Sequence, residues 1–201
     1  MFLTIEDHFA FLNECVRAKP RAVLISTYGL YAGILPDGRD TRDWGKMYKS
    51  QTRELLESMR GIENVRLLIG LYEFKSCKGK VPCSDCERKY VMDLIRHMNH
   101  AEKFSEFQWR VTPQSHLKCA LFTYPDNHPA PLRGVVGGRN LNDSSWADLT
   151  IELDKMSILR VQEHVEEIWK TAKVLNDKVL GGVLQDQGIS EKTLENILAA
   201  T

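Results

Sequence analysis

The stretch Ser115-His-Leu-Lys-Cys-Ala-Leu-Phe122 is an apolar segment interrupted by two polar residues, His116 and Lys118. Its apolar character predicts a β-strand. Successive side chains of a strand point to opposite faces of the sheet, so we expect His116 and Lys118 to project from the same face. An imidazole beside a fixed ammonium group suits chemistry on an anionic substrate.

A second polar cluster follows this stretch, at Gly137-Gly-Arg-Asn140. Two consecutive glycines allow the backbone to approach an anion closely, and Asn140 adds an amide donor. Ser144, Ser145 and Glu152 come close behind. A nucleophile or base, a cation and a set of donors together predict a site for a phosphate ester.

The order His-x-Lys and then Gly-Gly-x-Asn resembles the HKD signature of the phospholipase D superfamily. Thr123 occupies the position at which that signature has an Asp, and the loop that follows is longer than usual. Asp126 and Asp148 are candidate substitutes for the Asp. The residues that match are His116, Lys118, Gly137, Gly138 and Asn140.

The resemblance implies a phosphodiesterase reaction that needs no metal or other cofactor for catalysis. A neutral His116 would attack phosphorus and form a phosphohistidine, while a second, protonated His donates to the leaving oxygen. Lys118 and Asn140 would hold the nonbridging oxygens, and Glu152 would accept the other imidazole N–H. The implied catalytic residues are His116, Lys118, Asn140, Glu152 and Ser145, and the implied substrate-binding residues are Gly137, Gly138, Arg139 and Ser144.

The chain carries one copy of the motif. The small single-motif nucleases of the superfamily are homodimers, so the resemblance implies a symmetric homodimer with one site at its two-fold interface. The favoured function is that of a nuclease acting on DNA or RNA. The alternatives are a phosphodiesterase for a phospholipid or a small nucleotide, and a catalytically inactive nucleic-acid-binding or interaction module, which the missing Asp favours.

Helical and strand patterns alternate early in the chain, and strand patterns follow one another later. This order predicts a single α/β domain over residues 1–201, with a mixed β-sheet flanked by helices, and it resembles one phospholipase D repeat. Residues 72–90 are interpreted as a cysteine-containing loop insertion and 158–201 as a C-terminal helical segment. The pattern predicts helices over 4–17, 43–59, 84–99 and 158–176, and strands over 22–27, 65–71, 107–111, 115–122, 132–136 and 149–153.

Cys77, Cys83 and Cys86 have the spacing Cys-x5-Cys-x2-Cys, whose second half is typical of one half of a zinc knuckle. The alternative is a set of free thiols in a loop. A structural zinc would need a fourth ligand, for which the sequence offers His97, His100 or Cys119.

The composition is that of an ordinary globular protein of 201 residues, with 43% hydrophobic and 27% charged residues. No apolar run approaches the ~20 residues of a membrane helix, so we expect no membrane partner. An odd number of cysteines and the lack of a secretory signal predict a cytoplasmic protein. The formal net charge of +0 counts against a large DNA-binding surface but permits a local basic groove.

Overall fold

The computed structural model describes residues 2–3, 5–33, 51–71, 84–112, 115–137, 141 and 150–175, together with isolated positions from 182 onwards. None of the helices in these ranges is both long enough and apolar enough to cross a membrane. The helices are α1 (Ile5–Arg17), α2 (Gln51–Ser58), α3 (Ser84–Lys103) and α4 (Lys155–Thr171). The strands are β1 (Phe2–Leu3), β2 (Ala22–Thr27), β3 (Asn64–Gly70), β4 (Gln108–Thr112), β5 (Cys119–Thr123), β6 (Leu132–Gly137), β7 (Thr150–Glu152) and β8 (Lys173–Val174).

These strands form one mixed sheet in the order β1-β7-β6-β5-β2-β3-β4-β8. β2, β3 and β4 are parallel, as expected for strands joined by the helical crossovers that contain α2 and α3. The neighbours from β2 through β5, β6 and β7 to β1 are antiparallel, and so is the pair β4 and β8. The predicted α/β class with a mixed sheet is therefore confirmed.

Helices cover both faces of the sheet. Alternate residues of β2 point to opposite sides, so that Val23 and Ile25 join the core beneath α1, α2 and α3, whereas Leu24 joins the core beneath α4. The last five residues of β2 are all buried, which is typical of a central strand covered on both faces. The result is an arrangement of three layers with β2 near its centre.

α4 is attached to the sheet through Trp169. The ring of Trp169 is buried, and the guanidinium carbons of Arg66 and Arg110 lie 5.4 and 4.9 Å from its centroid. Arg66 also donates two hydrogen bonds to the carboxylate of Glu166, one of them 2.8 Å long. Cation–π contacts and a bidentate ion pair thus reinforce the apolar packing of this helix.

The motif strand is shorter than predicted over 115–122. β5 begins at Cys119, so His116 and Lys118 precede the strand rather than lying within it. The carbonyl of Leu117 accepts a hydrogen bond from the side-chain hydroxyl of Ser26 at 3.0 Å, a contact that lies beyond the last β2–β5 pair.

The C-terminal helix also differs from the prediction of 158–176. It begins at Lys155, because the Asp154 carboxylate accepts a backbone N–H of the first turn at 2.9 Å and caps the helix. It ends at Thr171, because Ala172 is extended (φ −68°, ψ 144°) and the next two residues pair with β4 as β8.

Other predicted boundaries change less. The loop insertion predicted over 72–90 overlaps α3, which starts at Ser84, and residues 72–83 are outside the described part of the chain. The segment 158–201 is not wholly helical, because β8 interrupts it. Of the helix predicted over 43–59, the structure describes α2, while 43–50 lie outside the described residues.

Replacing Trp169 by Ala should lower the free energy of unfolding by about 3 kcal/mol, since it removes a large buried ring. The matched control is Leu159→Ala on the same helix, where the side chain is 41% exposed and the expected change is within ~0.5 kcal/mol. Urea denaturation followed by circular dichroism measures both. Equal midpoints for the two variants would contradict this account of how α4 is held.

Candidate functional site

The segment that carries His116 and Lys118 is held between β2 and β6. The Ser115 hydroxyl accepts the backbone N–H of Leu117 at 3.2 Å, and the carbonyl of Leu117 accepts from Ser26. The carbonyl of Lys118 accepts the backbone N–H of Gly137 at 3.0 Å. These bonds order an irregular segment at the edge of a regular sheet, which is where functional side chains are commonly presented.

The side chains of His116 and Lys118 contact the same aromatic ring, that of Tyr28. The His116 imidazole is exposed and stacks on this ring, with 4.2 Å between centroids and 16° between planes. The Lys118 Nζ lies 5.6 Å from the ring centroid and donates a 3.1 Å hydrogen bond to the His116 carbonyl. The structure therefore brings together the two residues of the His-x-Lys motif, and it adds Tyr28 to them.

Gly70, the last residue of β3, has no side chain, and this lets the Ser115 backbone and the Tyr28 ring approach β3. A Cβ at Gly70 would lie 2.1 Å from the carbonyl oxygen of Ser115 and 3.2 Å from Cδ2 of Tyr28. Neither Tyr28 nor Gly70 belongs to the set predicted from the motif. The signal that points to them is their position, since both stand at the carboxyl ends of adjacent parallel strands, where ligand sites of α/β folds concentrate.

Of the Gly-Gly-Arg-Asn cluster, the structure describes only the first residue, Gly137, and it also describes Leu141, which follows the cluster. Gly137 ends β6 beside Lys118, and the backbone N–H of Leu141 donates to the Thr27 hydroxyl at 3.1 Å. Leu141 also forms a bridge with Leu30, in the loop that follows Tyr28. The chain on either side of the cluster thus meets the same edge of the sheet. The predicted residues Gly138, Arg139, Asn140, Ser144 and Ser145, with the candidate Asp148, lie outside the described residues.

Glu152 has a different partner from the one the resemblance implies. Its carboxylate accepts a hydrogen bond of 3.3 Å from Arg133, which also pairs with Glu14 and lies 4.6 Å from the centroid of the Phe11 ring. The ladder sets Glu152 opposite Val135, two residues farther from the His116 end of β6 than Gly137. In this conformation Glu152 is part of an ion-pair cluster with α1.

The position of the missing Asp is remote from His116 and Lys118. Thr123 is the last residue of β5, about 17 Å along the strand from Lys118 at ~3.4 Å per residue. Its carbonyl accepts the backbone N–H of Arg21 at 2.7 Å. Asp126 is exposed in the turn beyond this end of the strand. Neither side chain contacts the His-x-Lys motif.

The predicted zinc ligands are spread over the fold. Cys77 and Cys83 lie outside the described residues, and Cys86 belongs to the start of α3, although its side chain is not described. His97 stands about 16 Å farther along the same helix at 1.5 Å per residue, and His100 farther still, so neither is brought next to Cys86. Cys119 packs beneath α4, in the other core. Among the described residues, no three His, Cys, Asp or Glu side chains are grouped closely enough to hold a metal.

His97 and His100 are core histidines in this structure. Burial lowers the pKa of His97 to about 3 and that of His100 to about 4. The Nε2 of His100 accepts the backbone N–H of Ala32 at 3.0 Å, which requires a neutral ring and ties α3 to the loop after β2. Burial also raises the pKa of the Cys119 thiol to about 12, so this thiol is protonated at neutral pH.

A groove in the described part of the chain lies away from these residues. It has a volume of about 600 Å³ and runs between α3 and the β4–β8 edge, lined by residues such as Glu102, Trp109 and Arg110. None of the predicted site residues lines it. His116 is exposed.

Comparison with known proteins shows that the fold is similar to that of solved structures. No protein-family model matches the chain, and no curated protein matches its sequence. NucT from Helicobacter pylori matches with a TM-score of 0.50 at 11% identity, over 87% of this chain and 97% of that one. Phosphatidylserine synthase from Haemophilus influenzae Rd KW20 matches with a TM-score of 0.47 at 17% identity, over 87% of this chain and 39% of that one.

TrmBL2, an archaeal chromatin protein, matches with a TM-score of 0.44 at 12% identity, over 86% of this chain and 52% of that one. The match to NucT extends over nearly the whole of both chains. The phospholipase D-like fold that the sequence predicted is therefore present.

Stability should fall as the pH drops from about 6.5 towards 4, because His97 and His100 stay neutral in the folded protein but take up protons when it unfolds. Below the ordinary pKa of 6.5 the unfolded state binds more protons, so unfolding becomes easier. His97→Leu should make this pH dependence shallower. Urea denaturation at a series of pH values measures it, with His164→Leu, an exposed histidine on α4, as control. Parallel curves for wild type and His97→Leu would contradict the assignment.

Gly70→Ala should displace the Tyr28–His116 stack, because its Cβ collides with the Ser115 backbone. The matched control is Gly134→Ala on β6, whose Cβ would lie 2.7 Å from Leu121 in the core beneath α4. Both variants should lose about 1–3 kcal/mol of stability through overpacking. Only Gly70→Ala should shift the ring-proton resonances of His116 in an NMR spectrum. Unshifted resonances in that variant would show that the close approach at Gly70 does not hold the stack.

Proposed function

We propose that the protein is a metal-independent phosphodiesterase that cleaves DNA or RNA through a covalent phosphohistidine at a homodimer interface. The observation that carries this proposal is the pair formed by the exposed His116 imidazole and the Lys118 ammonium group, gathered on Tyr28. Gly137, the first residue of the predicted anion-binding cluster, and Leu141, which follows the cluster, meet the same sheet edge. The phospholipase D-like fold supports the same reading by analogy.

The first chemical step is attack of one neutral His116 on phosphorus, which forms a P–N bond as the bond to the leaving oxygen breaks. A second, protonated imidazole gives its proton to that oxygen. Water then attacks the phosphohistidine, loses a proton to the second imidazole and releases the first. Lys118 faces the charge that develops on the nonbridging oxygens. Its ammonium group has three donors, so it can reach a phosphate while its stem stays in place.

The positions of the other histidines support the proposal that a second subunit supplies the second imidazole. The chain has six histidines, all within the described residues. Three of the five besides His116 are buried. The other two are His128, beyond the far end of β5, and His164, on the exposed side of α4, and neither contacts His116. A two-histidine mechanism therefore draws on the His116 of a partner chain related by a two-fold axis.

A polymeric substrate suits the exposure of His116. Small-molecule sites are usually concave and enclose most of the ligand, whereas His116 is exposed and the 600 Å³ groove lies elsewhere. A nucleic acid strand can be cleaved at an open surface that offers a nucleophile and a cation. The alternatives are a phospholipid or small-nucleotide phosphodiesterase, and an inactive nucleic-acid-binding module. The remote position of Thr123 weighs against the inactive module, because the substitution lies away from His116 and Lys118.

The test is cleavage in excess EDTA. Plasmid DNA, single-stranded DNA, RNA and phosphatidylcholine vesicles are each incubated with wild type, His116→Ala and the control His164→Ala. We expect nucleic acid cleavage by wild type and by the control, and a loss of at least ~1000-fold in His116→Ala, since removal of a nucleophile abolishes the covalent route. Circular dichroism of each sample verifies that EDTA leaves the fold intact.

The outcomes separate the three functions. Turnover of the lipid alone would support the phospholipid enzyme, and binding without turnover would support the inactive module. A second test mixes wild type with His116→Ala and allows the subunits to exchange. If the site needs two His116 residues, only wild-type homodimers are active, and the remaining activity is proportional to the square of the wild-type fraction. A linear loss would contradict the shared site.

A further inference from the structure

The ring of Tyr28 contacts both His116 and Lys118, although Tyr28 is not part of the His-x-Lys motif. Its ring lies parallel to the imidazole within 16°, at a centroid separation of 4.2 Å, and within 5.6 Å of the ammonium nitrogen. The Tyr28 ring, called the platform below, thus contacts both groups on which the chemistry depends. That platform is attached to β2, near the centre of the sheet.

The geometry of the stack leaves the reactive atoms accessible. The lone pair of an imidazole nitrogen lies in the plane of the ring, so a partner stacked on the face restricts rotation of the ring without covering the nitrogens. His116 remains exposed in spite of the stack. A stacked imidazole can therefore attack at its edge while its plane stays oriented.

The platform itself is held from several sides. The Thr27 hydroxyl, one residue before Tyr28, donates to the Gly29 carbonyl at 2.8 Å and accepts the backbone N–H of Leu141. Gly70 gives the ring its space, with Cδ2 of Tyr28 only 3.2 Å from the position that a Cβ would take there. The half-buried Tyr28 ring thus follows a backbone segment that is tied down on both sides, which suits the orientation of a neighbouring group.

We propose that Tyr28 is a positioning residue for the reaction, orienting the His116 imidazole and setting its distance to Lys118. This inference rests on the proposed phosphodiesterase function. Tyr28 acts through its ring and takes no part in proton transfer. The ring contact with Lys118 is given up when the ammonium group turns to a phosphate oxygen, a stronger partner than a π face.

Three variants test the proposal, with bis(p-nitrophenyl) phosphate as the probe of turnover. Tyr28→Leu should lower kcat about tenfold with KM unchanged within about twofold, because the lost contacts orient the nucleophile rather than bind the substrate. Tyr28→Phe should restore kcat to nearly the wild-type value, since it keeps the ring. Tyr31→Leu is the matched control in the same loop, where the ring contacts Arg96 instead, and it should keep the wild-type kcat.

A second readout does not depend on activity. The His116 ring protons lie over an aromatic face in the wild type and should resonate upfield. Tyr28→Leu should move them downfield towards ordinary histidine values, and Tyr28→Phe should leave them upfield. Histidine proton NMR of the free protein measures this, and circular dichroism verifies that each variant is folded.

Three outcomes would contradict the proposal or the function on which it rests. A loss in Tyr28→Phe as large as in Tyr28→Leu would overturn the proposal, because the hydroxyl rather than the ring would then matter. An unchanged kcat or unchanged His116 resonances in a folded Tyr28→Leu would also overturn it. If the wild type turns over no phosphodiester, the proposed function fails, and the resonances still report separately whether Tyr28 orients His116.

Discussion

The antiparallel pairing of β2 with β5 is the constraint on which the rest of the structure depends. On one side of this pair the sheet is parallel and built from crossovers, and on the other side it is antiparallel. The register of this pairing sets Ser26 opposite Cys119. It is fixed by burial on both faces, because a slip of one residue would move each side chain of the strand from one core to the other. The pairing thus joins the parallel half of the sheet to its antiparallel half.

The candidate site lies where this pairing ends. Beyond the Ser26–Cys119 pair, the segment after β2 carries Tyr28, and the segment before β5 carries His116 and Lys118. Because both segments leave the same end of one ladder, their side chains lie close together. The carboxyl end of β3 lies beside them, and Gly70 there leaves room for the stack. A packed, rigid core thus ends in an exposed cluster of polar and aromatic groups.

The features that can be predicted from the sequence are those whose signal is local. His116 and Lys118 are two residues apart, so any extended backbone projects them to one side, and the strands and helices around them follow from apolar periodicity. Contacts with a partner that is distant in sequence cannot be predicted in this way. Nothing in the spacing indicates that Glu152 pairs with Arg133, or that the histidines of α3 are buried in the core. Ion pairing and burial are consequences of which elements pack together.

The sequence by itself determined the fold class and the projection of His116 and Lys118 to one side, because both depend on local pattern. Only the tertiary structure decided that Tyr28 is the common partner of His116 and Lys118, and that Gly70 makes room for it. The physical reason is that contacts between segments so far apart along the chain arise from strand register and from the space that packing leaves, neither of which is encoded at any single position.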